Sequence, residues 1–247
     1  MRKLLAVGLV LAIAPMASAT LFDRFDSYAD QAEMNAKWTQ VYTPNEFELD
    51  TTGGYTPDNS VTNRGPDVNY ERKMYRNLAH EYEATDADPI TFSIRIKLGA
   101  DDDWWTREYV ELRGYEGAGY GDGGLDGLIA IGVTSSSVPS TNFYMSRTLG
   151  GATAYQNYTL AKRTEWVQLI GVISETSVDY YYRTQQDPAP VFSHSSDTPH
   201  YTFDSVVVGS GLSSNVEVWF DDVKVPPEPA SMTLLALGAW ALIRRRR

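Results

Sequence analysis

An antiparallel β-sandwich is the fold that this 247-residue sequence predicts. Three features predict it: apolar residues alternating with polar ones, frequent turns rich in Gly, Ser, Asn and Pro, and almost no helical periodicity. The strictest alternation runs over 91–98, where Phe92, Ile94, Ile96 and Leu98 interleave with Thr91, Ser93, Arg95 and Lys97. Val110 and Leu112 alternate with Tyr109, Glu111 and Arg113, and the short apolar run 128–133 suits a core strand. Segments 166–173 and 178–182 flank Ser174-Glu175-Thr176-Ser177, which predicts a hairpin. A turn at 209–215 separates the strand patterns 203–208 and 216–225. A helical turn is predicted at 27–38, with Ser27 as its cap and Asp30 three residues on. In the last strand Val216, Val218 and Phe220 share one face, whereas Val223 and Val225 fall in the opposite phase. Both sets can be buried only if the strand bulges near Asp221 and Asp222.

Composition narrows the function classes. The chain has no cysteine, which excludes disulfide scaffolds, thiolate metal sites and cysteine nucleophiles. Lys and Arg number 21 against 32 Asp and Glu, a net charge of −11, so no nucleic-acid partner is expected. Setting aside Arg2, Lys3 and the four terminal arginines makes the remainder more acidic still. Such a body should repel anionic membranes and polyanions at low ionic strength, and prefer neutral polymers or anionic ones bridged by divalent cations.

Both ends carry an address. Arg2 and Lys3 precede an apolar stretch over 4–14, and Ala17 and Ala19 form a small-x-small cleavage site for signal peptidase. The stretch is too short to span a bilayer of about 30 Å. At the other end Pro227-Glu228-Pro229 precedes an apolar run over 232–243 and then Arg244, Arg245, Arg246 and Arg247. As a helix those twelve apolar residues would reach only ~18 Å, with the arginines held on the cytoplasmic side. The chain therefore divides into a signal peptide at 1–19, a sandwich at 20–225 and a tail at 226–247. Helices are expected in the signal peptide and the tail, and membrane contact only through those terminal segments.

The Pro-Glu-Pro, apolar run and arginine cluster resemble the PEP-CTERM sorting signal of Gram-negative bacteria. The resemblance implies export, transient inner-membrane anchoring and tail removal by an exosortase. It also implies residence at the cell surface or in an extracellular matrix rich in exopolysaccharide. A second resemblance covers most of the body. Phe22-Asp23-Arg24-Phe25-Asp26-Ser27-Tyr28, Trp38, the strand Trp166-Val167-Gln168-Leu169 leading to Tyr180-Tyr181-Tyr182, and Phe220-Asp221-Asp222-Val223-Lys224-Val225 look like a concanavalin A-like jelly roll. That superfamily implies paired first and last strands, and many members that bind or cut polysaccharides.

Catalytic signals are few. Jelly-roll glucanases carry Glu-x-Asp-x-x-Glu on one strand, but here Glu48-Leu49-Asp50 is followed by Gly53 where the second glutamate would fall. Glu108 and Glu111 are three apart, which places them on opposite faces, and they read as solvated charges. His80, His194 and His200 form no metal spacing. His194 and His200 flank Ser195 and Asp197 in what reads as a polar loop. The glycine- and aspartate-rich segment 119–127 is either a flexible loop or a Ca²⁺ loop. No catalytic residue is assigned.

The remaining signal is aromatic. Trp104, Trp105, Tyr109, Tyr115 and Tyr120 are interleaved with charged residues, as a carbohydrate site requires. In the alternative, a tryptophan plugs the core and the tyrosines line a strand. A structural Ca²⁺ is expected at Asp221 and Asp222, with Asp26 or Asp23 brought alongside by the first strand. The sequence thus predicts a non-catalytic exported or cell-surface module associated with exopolysaccharide through those aromatics. A ligand-free matrix protein and a divergent polysaccharide-active enzyme remain the alternatives.

Overall fold

The computed structural model describes residues 21–41, 47–55, 59–63, 72–99, 107–135, 142–148, 154–156, 165–184, 188–199, 201–210 and 217–225. Both terminal segments, with Ala17, Ala19, Pro227, Glu228, Pro229 and the terminal arginines, lie outside them. Residues Leu21–Pro226 form one compact unit. Among the described residues no helix is long and apolar enough to cross a membrane.

The first half of the unit holds β1 (Leu21–Asp23), α1 (Gln31–Asn35), β2 (Thr39–Gln40), β3 (Phe47–Asp50), β4 (Ser60–Asn63), β5 (Arg72–Glu83), β6 (Ile90–Leu98) and β7 (Arg107–Tyr115). The second holds β8 (Leu125–Ser135), β9 (Asn142–Thr148), β10 (Ala154–Gln156), β11 (Val167–Ile173), β12 (Ser177–Arg183), β13 (Val191–Asp197), β14 (Thr202–Ser210) and β15 (Val218–Val225). They build two antiparallel sheets. One has eight strands, ordered β13-β12-β11-β6-β15-β4-β3 with β1 also paired to β15. The other has seven, ordered β10-β9-β8-β7-β14-β5-β2.

The alternating residues behave as predicted. Phe92, Ile94 and Ile96 of β6 and Leu112 of β7 are fully buried in one core between the sheets. Hairpin β11–β12 closes where expected, with Ser174 N–H donating to Ser177 O at 2.8 Å. The turn at 209–215 is different: β14 and β15 belong to opposite sheets, so that connection crosses the sandwich instead of closing a hairpin. Helix α1 also begins later than predicted. Its cap is Asp30, which accepts the Glu33 N–H at 2.9 Å, while Glu33 accepts from Ala29 N–H.

The first strand is fixed by a buried carboxylate. Asp23 Oδ2 accepts hydrogen bonds from the Tyr28 hydroxyl, from Trp38 Nε1 at 2.9 Å and from Arg76 Nη1 at 3.1 Å. Its Oδ1 accepts the Phe25 N–H at 2.9 Å. Phe25 needs that hold, because its φ of 61° lies in the left-handed region, which is costly for an aromatic residue. In return its ring is fully buried, 5.9 Å from Trp38 and 6.1 Å from Tyr28. Through Arg76 on β5, Asp23 also ties the two sheets together.

Asp23→Ala would leave the buried indole and hydroxyl donors, and the part-buried Arg76 guanidinium, without their acceptor. We expect it to destabilise the protein by about 3–5 kcal/mol, against about 1 kcal/mol for removal of the exposed cap in Asp30→Ala. Urea unfolding of both variants checks this, and equal losses would contradict the role given to Asp23.

Candidate functional site

Strand β7 is buried on both faces. Val110 and Leu112 point into the core, while Tyr109, Glu111 and Arg113 stand on the outer face of the seven-stranded sheet. Cross-strand partners share a face, so register places Tyr75, Val207, Glu111 and Ala130 in one row and Asn77, Ser205, Arg113 and Leu128 in the next. Tyr109, Leu128, Ala130 and Val207 are buried although they lie outside the core cluster, so this face is covered along its centre.

The expectation that Glu108 and Glu111 are solvated is therefore wrong, for both have 0% exposure. Alternation assigns a face but not access to water. Glu111 is compensated by Arg113, whose Nε and Nη2 approach Glu111 Oε2 at 2.6 and 2.5 Å. Burial works against the charge on Arg113, but Glu111 and the Tyr115 hydroxyl outweigh it and hold its pKa above the ordinary value. Arg113 Nη1 donates to the Tyr115 hydroxyl at 3.1 Å, and its guanidinium lies 5.5 Å from the Tyr120 ring centre.

Above this ion pair stands a cluster of half-buried rings. Tyr120 stacks on Tyr75, with centroids 4.1 Å apart and planes 14° apart, and meets Tyr115 edge-on at 5.4 Å. The glycine- and aspartate-rich loop delivers Tyr120 to that position. Gly119 has φ +113° and is packed so closely that an added Cβ would meet the Asn77 amide at 2.6 Å. Asn77 Oδ1 accepts the Tyr120 N–H at 3.0 Å, and Asp204 Oδ2 accepts from Tyr115 and Gly119 N–H. Asp122 closes the loop by accepting the Ala118 N–H at 3.0 Å. Its carboxylate therefore braces the backbone.

Of the five predicted sugar-stacking residues, Tyr115 and Tyr120 are brought together. Tyr109 is buried, with the Lys73 ammonium 5.9 Å from its ring centre. Trp104 and Trp105 lie outside the described residues. Sequence reasoning missed Tyr75, which reaches the cluster from β5, 40 positions before Tyr115 and with no motif to link them.

The outer face of the eight-stranded sheet carries a second set of rings that the sequence did not reveal. Lys97 lies 4.2 Å from the Trp219 ring centre and 5.3 Å from Trp166, and Arg95 lies 3.6 Å from Tyr55. Burial lowers the Lys97 pKa. Trp219 Nε1 also donates to Asp50 Oδ2 at 2.8 Å, which gives Asp50 a structural task. These rings are covered by the protein's own cations.

The bulge predicted in β15 is present. Its register against β6 shifts between Asp221 and Lys224, Asp222 has φ 49°, and Phe220, Val223 and Val225 are all fully buried. The two aspartates then part. Asp221 is buried and accepts the N–H groups of Tyr55 and Asp222 at 2.9 and 2.6 Å. Asp222 accepts from Arg95 Nε at 2.6 Å, with Arg24 at 3.6 Å. Asp26 is exposed and accepts the Asn59 N–H at 3.0 Å. Among the described residues no group of three or more metal-ligating side chains forms.

Of the serine and histidine segment, His194, Ser195 and Asp197 lie in strand β13, and His200 lies outside the described residues. Ser195 donates to Asp179 across the strand pair, and His194 stacks on Tyr180 at 4.7 Å.

The fold and its strand pairing place the protein in the class of jelly-roll β-sandwiches. Solved structures similar to it include a Bacillus licheniformis β-glucanase, with a TM-score of 0.54 and 8% identity over 85% of this chain and 99% of that one. The globular domain of T. cruzi calreticulin gives 0.54 and 10% identity over 92% and 95%. A structure titled for endo-acting O-glycanases that initiate mucin breakdown, from human gut microbiota, gives 0.52 and 12% identity over 85% and 99%. At such identities the likeness is one of fold. No curated protein matches the sequence. Residues 227–247 match the PEP-CTERM protein-sorting motif, which implies export, sorting to the cell envelope and processing by an exosortase.

Burial, with a smaller contribution from Asp222 and Asp26, pushes the Asp221 pKa up to about 7, against the hydrogen bonds from Tyr55 and Asp222. In the unfolded chain the group titrates near ~4. Between those values the folded protein holds a proton that the unfolded chain has lost, so this group's contribution makes stability fall as pH rises from about 4 to about 7. Thermal melts across that range should show a smaller acid-side advantage in Asp221→Asn than in the parent. Identical pH profiles would remove Asp221 from the account.

Proposed function

We propose that the protein is a non-catalytic polysaccharide-binding module of the cell surface or exopolysaccharide matrix. Its binding site is the outer face of the seven-stranded sheet around Tyr75, Tyr115 and Tyr120. The observation that carries this reading is the ring cluster itself: three half-buried tyrosines locked from beneath by the buried Glu111–Arg113 pair. Sugar rings stack their C–H faces on such planes, and a platform already fixed in place loses little entropy on binding. The net charge of −11 favours neutral polymers, or anionic polymers carrying divalent cations. Retaining hydrolysis needs a second carboxylate within about 5 Å of the first. Glu111, the buried acid of this face, is engaged by Arg113 at 2.5 Å.

Affinity electrophoresis of the protein against neutral and acidic polysaccharides tests the proposal. Tyr120→Ala and Gly119→Ala should each weaken retention about tenfold, equivalent to the loss of ~1.4 kcal/mol. Lys97→Ala, on the other sheet, should leave it unchanged. Absence of retention by every polymer would leave the ligand-free matrix role.

The calcium expectation at Asp26, Asp221 and Asp222 is kept as a proposal: Asp221 is buried, and the charges of the other two carboxylates act on it. The chemistry a bound Ca²⁺ would supply is charge compensation. Ca²⁺ at neutral pH should then raise the melting temperature, and Asp221→Ala should abolish the increment. Indifference of the wild-type melting curve to both Ca²⁺ and chelator would exclude the ion.

A further inference from the structure

Strands β1 and β15 pair Leu21 with Val225 and Phe22 with Lys224, so both ends of the folded unit leave it at one place. Phe22 stands there 46% exposed, one of two exposed large hydrophobic residues among those described. Its ring is flanked by Arg24 at 4.6 Å and Lys224 at 6.0 Å, and both cations are themselves exposed. The nearby acid Asp222 is shared between Arg95 at 2.6 Å and Arg24 at 3.6 Å, so with Lys224 three cations face one carboxylate there, and the patch is aromatic and net cationic on a chain of net charge −11.

The sequence fixes how far this patch can stray from the tail. Six residues, 226–231, separate Val225 from the apolar run that begins at Met232. Fully extended they reach about 20 Å. A bilayer that holds the apolar run and its four arginines therefore keeps the end of β15 within that distance of its headgroups.

We propose that Phe22, Arg24 and Lys224 form a lipid-docking patch that seats the folded unit on an anionic membrane surface while the tail is in place. Phe22 enters the interfacial layer, where aromatic rings are favoured, and the two cations meet lipid phosphates. Docking at three points beside the tether sets the orientation of the body before the tail is cut. The proposal rests on the reading of residues 227–247 as a membrane-held sorting segment.

The chain contains no cysteine, so single positions can be labelled cleanly. The full chain is prepared as Phe22→Cys and as Phe192→Cys, the other exposed aromatic position. Each carries a hydrophobic, environment-sensitive fluorophore and is incorporated into vesicles of phosphatidylethanolamine with phosphatidylglycerol. Quenching by a lipid-borne nitroxide should be several-fold greater at position 22 than at position 192. It should weaken on phosphatidylcholine alone, at high salt and in the Arg24→Glu/Lys224→Glu background, whose melting temperature checks that it folds. Equal quenching at both positions in chains that float with the vesicles would overturn the patch and leave the tail reading intact. Chains that fail to float would overturn the tail reading and the patch with it.

Discussion

The bulge in β15 is the constraint on which the rest of the sandwich depends. The strand runs through the eight-stranded sheet, paired with β6 along one side and with β4 and then β1 along the other. Its apolar residues are written in two phases, and a regular strand would turn one set to water. Setting Asp222 at φ 49° shifts the phase once, so Phe220 and Val223 both reach the core. Aspartate is among the few side chains that adopt that conformation readily. The two carboxylates at the bulge are then used differently: one caps amides left over at the irregularity, and the other turns out to Arg95. Beyond the bulge β1 can dock, and with β1 comes Asp23, which gathers Tyr28, Trp38 and Arg76.

Local pattern made some of this legible in the sequence. Strict alternation identified β6 and the β11–β12 hairpin, because a half-buried strand writes its face into every second residue. The phase change in β15 was legible for the same reason, since a bulge leaves two incompatible alternations in one strand. The crossing between β14 and β15 was not, because a turn sequence specifies a reversal without saying which sheet receives the next strand. Glu111 was misread as solvated. Its partner Arg113 lies two residues away on the same face, a spacing that signals nothing on a half-exposed strand but supports an ion pair on a covered one.

The candidate site was legible only in part, and the missing part is long-range. Tyr115 and Tyr120 stood out as aromatics close together in the chain. Their companion Tyr75 arrives through β5, which reaches β7 only by way of β14. The loop over 119–127 was read as flexible or as a calcium loop because glycine and aspartate serve both. In the fold its aspartate and glycines close a tight turn that aims Tyr120 at Tyr75.

The two aromatic surfaces differ in where their cations lie, and that difference is what favours the seven-stranded sheet in the proposed reading. On the eight-stranded sheet Lys97 and Arg95 lie against the rings of Trp219, Trp166 and Tyr55, so a ligand would have to displace a charge held close to an aromatic face. Such contacts strengthen as they lose water, and the lowered Lys97 pKa reports that loss. On the seven-stranded sheet the charge is sunk below the rings: Arg113 is committed to Glu111 and supports Tyr115 and Tyr120 from beneath. The first arrangement uses its rings to hold the protein's own cations. The second spends its ion pair on holding rings in place, the order of layers that suits the proposed stacking site.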